Sequence, residues 1–485
     1  MSNKEEVKNE VLKWTICLEC NGSSLKRRKL RKKVRLQYQK ALDEFEKTEQ
    51  KEDAPIRPKG ALEPCPHCNA TGLIPSDNYP ESDNQTYPHI AIIGGGIGGV
   101  ALAVACLHRS IPFTLYERDN SFDERHQGYG LTLQQASKAI QGLGILSLAE
   151  GLISTRHVVH ATDGGIIVEW GARKWLQTEV IKTNKRTNVH IPRQSLRLEL
   201  LKQLGDNMVQ WGHQLIDFKD GENGGIELNF NINGKTKQAK ADLIVGADGI
   251  RSTVRRLQIG EENTPLQYLG CIVILGICPL GALENINSDL LDSKTVFQTV
   301  NGTERLYVMP YDSDTVMWQF SYPITEKESK VLSALGTKAL KEDALKRMKQ
   351  WHNPVPQIIN ATPKKLISGY PVYDRALLQL EMLTNAKQVT LIGDAAHPMS
   401  AFKGQGANQA LLDALVLARG VVSGCNSYSQ WRANGIRASV LKTFEAEMIA
   451  RTAAKVKGSA EAAKLLHTEI VLRKGPNAPT GRSLK

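Results

Sequence analysis

Two groups of residues in this sequence have the types and spacing to do chemistry. The first is Cys17-Leu-Glu-Cys20 and Cys65-Pro-His-Cys68, two thiol pairs of identical spacing. Four thiolates on two such knuckles complete a tetrahedral Zn2+ shell with no position left open, the signature of a structural rather than a catalytic metal. The other chemistry open to a CxxC pair is thiol–disulfide exchange. His67, inside the second pair, reads as a loop residue and not a ligand. The second group is Gly94-Gly-Gly96-Ile-Gly-Gly99, followed by an acid at Glu117. Gly94 permits a tight turn, Gly96 lets the backbone approach a pyrophosphate, and Gly99 allows a helix to lie close on a strand. The free N–H groups of that helix favour phosphate charge, and Glu117 is spaced to accept ribose hydroxyls. A glycine-rich loop alone is only a tight turn. With a strand before it, a helix after it and the acid in place, it reads as a dinucleotide site, without choosing between FAD and NAD.

Two later segments extend that site. Val245-Gly-Ala-Asp248-Gly249-Ile-Arg251 runs on to Arg255, combining a strand end, an acid, a glycine turn and arginines. Leu391-Ile-Gly393-Asp394-Ala-Ala-His397-Pro398 continues through Gly404-Gln-Gly406-Ala407-Asn408 into a helix carrying Asp413. A carboxylate at a strand end can bond a polyol, and a helix N-terminus can face a ring that becomes anionic on reduction.

The elements that must position these residues follow from apolar periodicity. The sequence predicts a buried strand over 89–93, a helix over 98–109 and a second strand over 111–116, one βαβ unit. Helices are expected near 134–143 and 194–204, and strands near 157–170, 242–246 and 389–393. Short alternating runs from 267 to 323 predict an antiparallel sheet that walls the substrate. Tyr307, Met309, Trp318, Phe320 and Tyr322 lie on it, as pocket lining or as plain core. The fold class expected is α/β, a Rossmann-type domain interleaved with an antiparallel-sheet domain, plus a small N-terminal zinc module. The division drawn is 1–86 for that module, with a basic helix within 25–47 and a linker over 75–88. The cofactor domain takes 87–165, 190–260 and 370–425, the substrate domain 166–189 and 261–369, and C-terminal helices 426–485.

The chain has 485 residues, 41% hydrophobic and 23% charged, as expected of a globular protein with a sizeable core. Its net charge is +12, but residues 1–88 hold 16 basic against 14 acidic side chains, so the excess lies in the part expected to bind a pyrophosphate. No stretch is long and apolar enough to span a membrane. The first ten residues are charged and lack an apolar signal core, and the cysteines do not form a disulfide framework. A cytoplasmic location is expected.

From 88 to 425 the three ordered motifs resemble those of the single-component (class A) flavoprotein monooxygenases, typified by para-hydroxybenzoate hydroxylase. The resemblance implies an FAD-binding fold with an interleaved substrate domain. It implies that NAD(P)H reduces FAD transiently, and that O2 then adds to give a flavin hydroperoxide that hydroxylates an electron-rich, aromatic or polyketide-like small molecule. Carried over by position, Glu117 would hold the adenosine ribose and Asp394 the ribityl chain. Arg125 and Arg193 would lie near the phosphates and the flavin. Asp248, with Arg251, would serve FAD and NAD(P)H together, and the Gly404–Gly406–Ala407–Asn408 backbone would hold the ring edge. Arg118 and Arg255 stand open between cofactor contacts and structural arginines, and His397 reads as a local hydrogen-bonding residue. Ala401 departs from the proline many members carry there. No catalytic side chain is singled out. Two alternatives share these motifs: a flavin oxidoreductase that inserts no oxygen, and an adaptor with a vestigial flavin domain. The Trp-x-Trp-x-Ile-Pro segment of flavin halogenases is absent, and intact Glu117, Asp248 and Asp394 argue against the adaptor.

The cysteine pairs each resemble half of the zinc site of DnaJ-type chaperones. Between them, Lys26-Arg-Arg-Lys29 and Arg31-Lys-Lys33-Val-Arg35 form a basic run that could meet RNA or an acidic protein, or simply be a solvated helix face balanced by Asp43, Glu44 and Glu46.

Overall fold

Four consecutive apolar residues, Ile90–Ile93, become the fully buried middle strand of a five-stranded parallel sheet. The computed structural model describes residues 12–47, 54–124, 129–134, 136–171, 188–205, 207–221, 224–425 and 431–473. In spatial order the sheet runs Val209–Gln210, Phe113–Tyr116, Ile90–Ile93, Leu243–Gly246 and Val389–Leu391. The register decides what this means for the site. Gly246 is the Cα partner of both Ile93 and Leu391, so three strands far apart in sequence end level. Their following loops, which carry the three motifs, leave side by side at the carboxyl edge, where ligands bind in sheets of this type.

Helix Ile97–Leu107 is almost entirely buried and lies against helix Gly406–Gly424. Small residues make the fit close. A Cβ on Gly99 would sit 1.9 Å from the Gly94 carbonyl oxygen, and Gly94 itself holds a φ of 107°. An antiparallel three-stranded sheet, 214–220, 226–232 and 235–241, flanks this core.

The second large sheet has seven strands, ordered Ile166–Trp170, Arg156–Ala161, Thr295–Val300, Arg305–Pro310, Thr315–Pro323, Leu266–Pro279 and Ile367–Arg375. It is the antiparallel wall expected, apart from one parallel pairing between 156–161 and 295–300. It takes in strands 156–161 and 367–375, whose residues the sequence division had placed wholly or partly in the cofactor domain. Residues 172–187, most of the first segment (166–189) of the expected substrate domain, lie outside the described residues. One face is covered by helices Glu326–Ala334, Gly336–Met348 and Val355–Ala361, packing on Leu306, Val308, Trp318 and Phe320. The other face looks toward the parallel sheet. Because Tyr307 pairs with Gln319 and Met309 with Met317, these four share that face, while Trp318, Phe320 and Tyr322 point to the helices. Of the five side chains read as pocket or core, only Tyr307 and Met309 therefore reach the space between the sheets.

In the N-terminal unit, Lys13–Ile16 pairs with Leu73–Ser76, and Leu25–Arg27 pairs with Leu62–Pro64, both antiparallel. The basic helix is shorter than the periodicity predicts, Lys32–Lys47, because residues 25–27 are drawn into the second ribbon. None of its residues is buried. The polar run 75–88 is fastened rather than loose: Asp83 N–H donates to Ser110 O (2.8 Å) and Trp431 Nε1 to Thr86 O (2.8 Å). C-terminal helix Lys442–Leu465 closes the molecule, and no described helix is long and apolar enough to cross a membrane.

Candidate active site

Between the two sheets lies a cavity of about 590 Å³. The first motif contributes Gly96, Ile97 and Gly98 to its wall, the second Ala247, Gly249, Ile250 and Arg251, and the third Gly393, Asp394 and 398–407. All three motifs therefore meet at one space, with the N-termini of helices Ile97–Leu107 and Gly406–Gly424 opening on it.

The residues singled out in the sequence divide into those that face this space and those that build it. Asp394 faces it, and although its side chain is open to the cavity, enclosure by the protein raises its pKa, opposed by His397 and Arg193. Arg193 begins helix Arg193–Leu201, stacks on Tyr129 at 5.2 Å and keeps a buried Nη1 without a protein partner. Gly404 takes a left-handed φ of 58° that turns the chain into the helix beginning at Gly406, and both line the cavity with Ala407. The Ala401 carbonyl accepts the Gly404 N–H at 3.0 Å, so it serves the turn.

Glu117 is buried behind the glycine loop, accepting Gly95 N–H (2.7 Å) on one oxygen and Asp119 N–H (3.0 Å) on the other. Asp248 does not line the cavity. Its carboxylate takes the N–H groups of Thr253 (2.7 Å) and Val254 (3.2 Å) and the Ser252 hydroxyl, capping helix Thr253–Ile259. Burial raises its pKa against those hydrogen bonds. Asn408 is buried and fully used: Oδ1 accepts Gln134 and Ala136 N–H, and Nδ2 donates to Thr132 O and Gly404 O. Its side chain ties strand Gly130–Leu133 to the Gly404 turn. Arg118 is exposed outside the cavity lining, and Arg125 lies outside the described residues. Arg255 is a strut: Nη1 donates to Ala395 O (2.9 Å) and Ala396 O (2.8 Å), and burial lowers its pKa to about 10. His397 Nε2 lies 2.7 Å from the fully buried Asp413. Burial alone would raise Asp413, but His397 and Arg451 (2.8 Å) outweigh it and hold the carboxyl below its ordinary value.

Two arginines escaped the sequence reading. Arg197, one turn after Arg193, donates through Nε to Gly95 O at 2.7 Å and braces the glycine loop. Arg305 starts a strand of the far wall, 4% exposed, with Nε on Gln298 Oε1 (2.9 Å) and its guanidinium over the rings of Tyr307 (5.3 Å) and Phe402 (5.9 Å). Among the described residues, no carboxylate lies within ion-pair distance of it. Nearby His467, buried and bonded to Ser321, is held neutral by burial with a pKa of about 4. Burial likewise lowers Arg305 to about 10, which leaves it a cation at neutral pH. No motif marks it, since a lone arginine on an alternating strand has no spacing to read.

At the other end of the molecule Cys17, Cys20, Cys65 and Cys68 are buried, and their sulfurs lie within 4.8 Å of one another. The closest pairs across the two knuckles are 4.0 Å (Cys17–Cys65) and 3.7 Å (Cys20–Cys68), far beyond a disulfide bond.

Residues 87–427 match the family model described as FAD binding domain. Among curated proteins, the chain is 28% identical over 333 residues to aurachin C monooxygenase/isomerase of Stigmatella aurantiaca, covering 68% of this chain and 79% of that one. It is 27% identical over 357 residues to 6-methylsalicylate 1-monooxygenase of Aspergillus terreus, covering 68% and 73%. Among solved structures, Klebsiella pneumoniae HpxO complexed with FAD and uric acid superposes with a TM-score of 0.64 at 21% identity, covering 79% of this chain and 89% of that one. The 2,6-dihydroxypyridine-3-hydroxylase of Arthrobacter nicotinovorans gives 0.64 at 17%, covering 81% and 98%. The match over most of the chain, on a fold whose three motifs converge on one cavity, places this protein in the FAD-binding domain family, as an FAD-dependent monooxygenase.

Proposed function

We propose that this enzyme uses NAD(P)H and O2 to hydroxylate an electron-rich aromatic or polyketide-like molecule that carries an acidic oxygen, such as an acidic phenol, an enol or a carboxylate. The observation behind the substrate charge is Arg305. A buried cation with no counter-ion is costly unless its partner arrives with the ligand, and Arg305 stands in the wall opposite the motif loops. The relatives named for 6-methylsalicylate and aurachin C fit an aromatic acceptor of this kind.

FAD, when bound and reduced, supplies the activated oxygen; the protein holds and orients. In this reading Gly94, Gly96 and Gly99 shape the pyrophosphate loop, and Glu117 keeps lone pairs for the ribose while fixing Gly95. Arg193 offers its unpartnered Nη1 to a phosphate or ring oxygen. Asp394 accepts the ribityl hydroxyls, and the N–H groups of Gly406 and Ala407 meet the ring edge. Gly96, Arg193, Asp394, Gly406 and Ala407 fit the cofactor because they line the cavity, Arg193 with an Nη1 that has no protein partner, while Glu117 sits behind the loop. Asp248 and Asn408 act by fixing the loops, and exposed Arg251 beside the cavity is a contact for the nicotinamide nucleotide. The resemblance would put Arg125, outside the described residues, near the phosphates, and Arg118, exposed and outside the cavity lining, stays open between a cofactor contact and a structural arginine. The cofactor and substrate domains keep the division given above, with strands 156–161 and 367–375 moved to the substrate sheet. A cytoplasmic location goes with the reduced cysteines.

The four N-terminal thiols form a structural zinc module of DnaJ-like type. A tetrahedron with Zn–S bonds of about 2.3 Å has sulfurs about 3.8 Å apart, close to the pairs measured here. The exposed basic helix beside it offers a protein or RNA contact.

The test is O2 uptake and NAD(P)H oxidation by the FAD-loaded protein, with mass spectrometry of the product. An acidic phenol should accelerate both and gain one oxygen atom. Oxidation of NAD(P)H coupled to product formation without O2 would refute the reading.

A further inference from the structure

The zinc module is not a loose appendage. Trp14 is buried, and its ring lies where a Cβ on Gly144 would be, 2.5 Å away. Beneath the cysteine cluster two arginines meet one carbonyl: Arg419 Nε donates to Gly22 O at 3.2 Å and Arg109 Nη2 reaches it at 3.5 Å. Arg109 is 1% exposed, its Nη1 donates to Ala105 O (3.0 Å), and its Nε has no partner. Among the described residues, neither arginine has a carboxylate within ion-pair distance. Burial lowers the pKa of both, and the charge of Arg419 lowers Arg109 further, to about 9. The groups with the opposite effect are cysteines: Cys106 and then Cys20 for Arg109, and Cys20 and Cys68 for Arg419.

Two adjacent cations, Arg109 buried and Arg419 half-buried, with no anion beside them among the described residues, are unfavourable as they stand. Four thiolates around Zn2+ carry a net charge of two minus, spread over sulfurs that accept weak hydrogen bonds. Resting on the zinc reading above, we propose that Arg109 and Arg419 are the counter-cations of a dianionic zinc–tetrathiolate centre, which thereby fastens the N-terminal module to the flavin domain. The place of attachment gives this a consequence. Arg109 follows the C-terminus of helix Ile97–Leu107 and Arg419 lies in the last third of helix Gly406–Gly424. The N-termini of the same two helices open on the cavity. Metal occupancy therefore stabilises the scaffold of the flavin site from behind, and the centre and the cofactor domain unfold together.

The experiment compares the FAD-loaded wild type with Arg109→Met and Arg419→Met, following zinc transfer to a chromophoric chelator. Groups of this kind around a metal typically change its affinity by about 10- to 100-fold, and a loss in that range is expected for each variant, with Arg419→Lys recovering most of it. Unchanged zinc affinity in both Met variants, with native flavin absorbance, overturns the proposal while leaving the zinc reading intact. A wild type that contains no zinc by elemental analysis overturns both. If the variants do not fold, zinc is chelated from the wild-type holoenzyme and thermal release of FAD is followed by its fluorescence. A lower release temperature supports the coupling, and an unchanged one refutes it.

Discussion

Replacing Arg305 by glutamine tests the substrate assignment most directly, because the structure separates its effect on an anionic ligand from its effect on everything else. The side chain touches neither the glycine loop nor Asp394, and meets the third motif only through its stacking over Phe402 at 5.9 Å, so FAD retention should be largely unchanged. Removing an unpaired buried cation should leave stability equal or slightly higher, since a neutral group of similar size avoids the desolvation cost. Binding of an acidic ligand is the quantity that falls. One charge-assisted hydrogen bond is worth about 1.5–3 kcal/mol, and each 1.4 kcal/mol is about a factor of ten, so affinity should drop roughly ten- to a hundredfold. A neutral analogue, the methyl ether or methyl ester of the same molecule, should bind wild type and variant within a factor of about two, and the difference between the two ligands isolates the pair. Ligand titration against the flavin absorbance gives the Kd directly, free of turnover. Burial lowers the guanidinium only to about 10, so it stays charged at neutral pH, where the titration is done. Equal loss for the acid and its neutral analogue would defeat the reasoning, as would loss of FAD from the variant.

The other predictions concern the scaffold. Asp394→Ala should weaken FAD retention with folding kept, read from the flavin-to-protein absorbance ratio after gel filtration. Gly99→Ala has no room, with a Cβ 1.9 Å from a backbone oxygen, and should cost on the order of 3 kcal/mol or more, seen in the urea midpoint. His108 is 1% exposed with both ring nitrogens unpartnered, and burial lowers its pKa from 6.5 to about 3. The unfolded chain therefore takes up a proton that the folded one refuses. The stability His108 supplies is complete above pH 6.5 and is lost as pH falls toward 3, by about 1.4 kcal/mol per unit. His108→Phe should flatten that part of the melting-temperature profile; an unaltered slope between pH 6 and 4 would show the assignment to be mistaken.

How far the sequence carried differs from residue to residue, and the reason is physical. Gly94 and Gly99 were legible because a positive φ and a 1.9 Å approach exclude every other side chain, so the constraint is written in the residue type. The convergence of the three motifs was legible from strand-then-turn order, though the level ending of Ile93, Gly246 and Leu391 needed the sheet. The facing of Tyr307 against Trp318 was not legible: both sit on alternating strands, and only the cross-strand register of 307 with 319 assigns them to opposite faces. Leu25–Arg27 looked helical because its partner, Leu62–Pro64, lies beyond the basic helix in sequence. Arg109, Arg305 and Arg419 carried no local signal, since their meaning comes from the lack of a carboxylate beside them among the described residues.

That last point also explains why motif residues of one family pattern do unlike work here. A tight loop at the end of a buried strand leaves backbone N–H groups that must find acceptors, and the nearest polar side chains are those of the motif itself. Asp248 is consumed in capping a helix, Asn408 in joining a strand to a turn, and Asp413 in holding Gly393 N–H at 2.8 Å together with His397 and Arg451. Each could be mistaken for a ligand contact from spacing alone. Asp394, Arg193 and Arg305 differ in that their side chains line the cavity, and they are proposed to meet a ligand there. The distinction makes a claim about substitution. Asp248→Asn and Asp413→Asn should lower the melting temperature before they alter ligand affinity, whereas Asp394→Ala and Arg305→Gln should alter affinity in a protein that melts as the wild type does. An Asp248 variant that melts normally but no longer retains FAD would show that the capping carboxylate also reaches the cofactor.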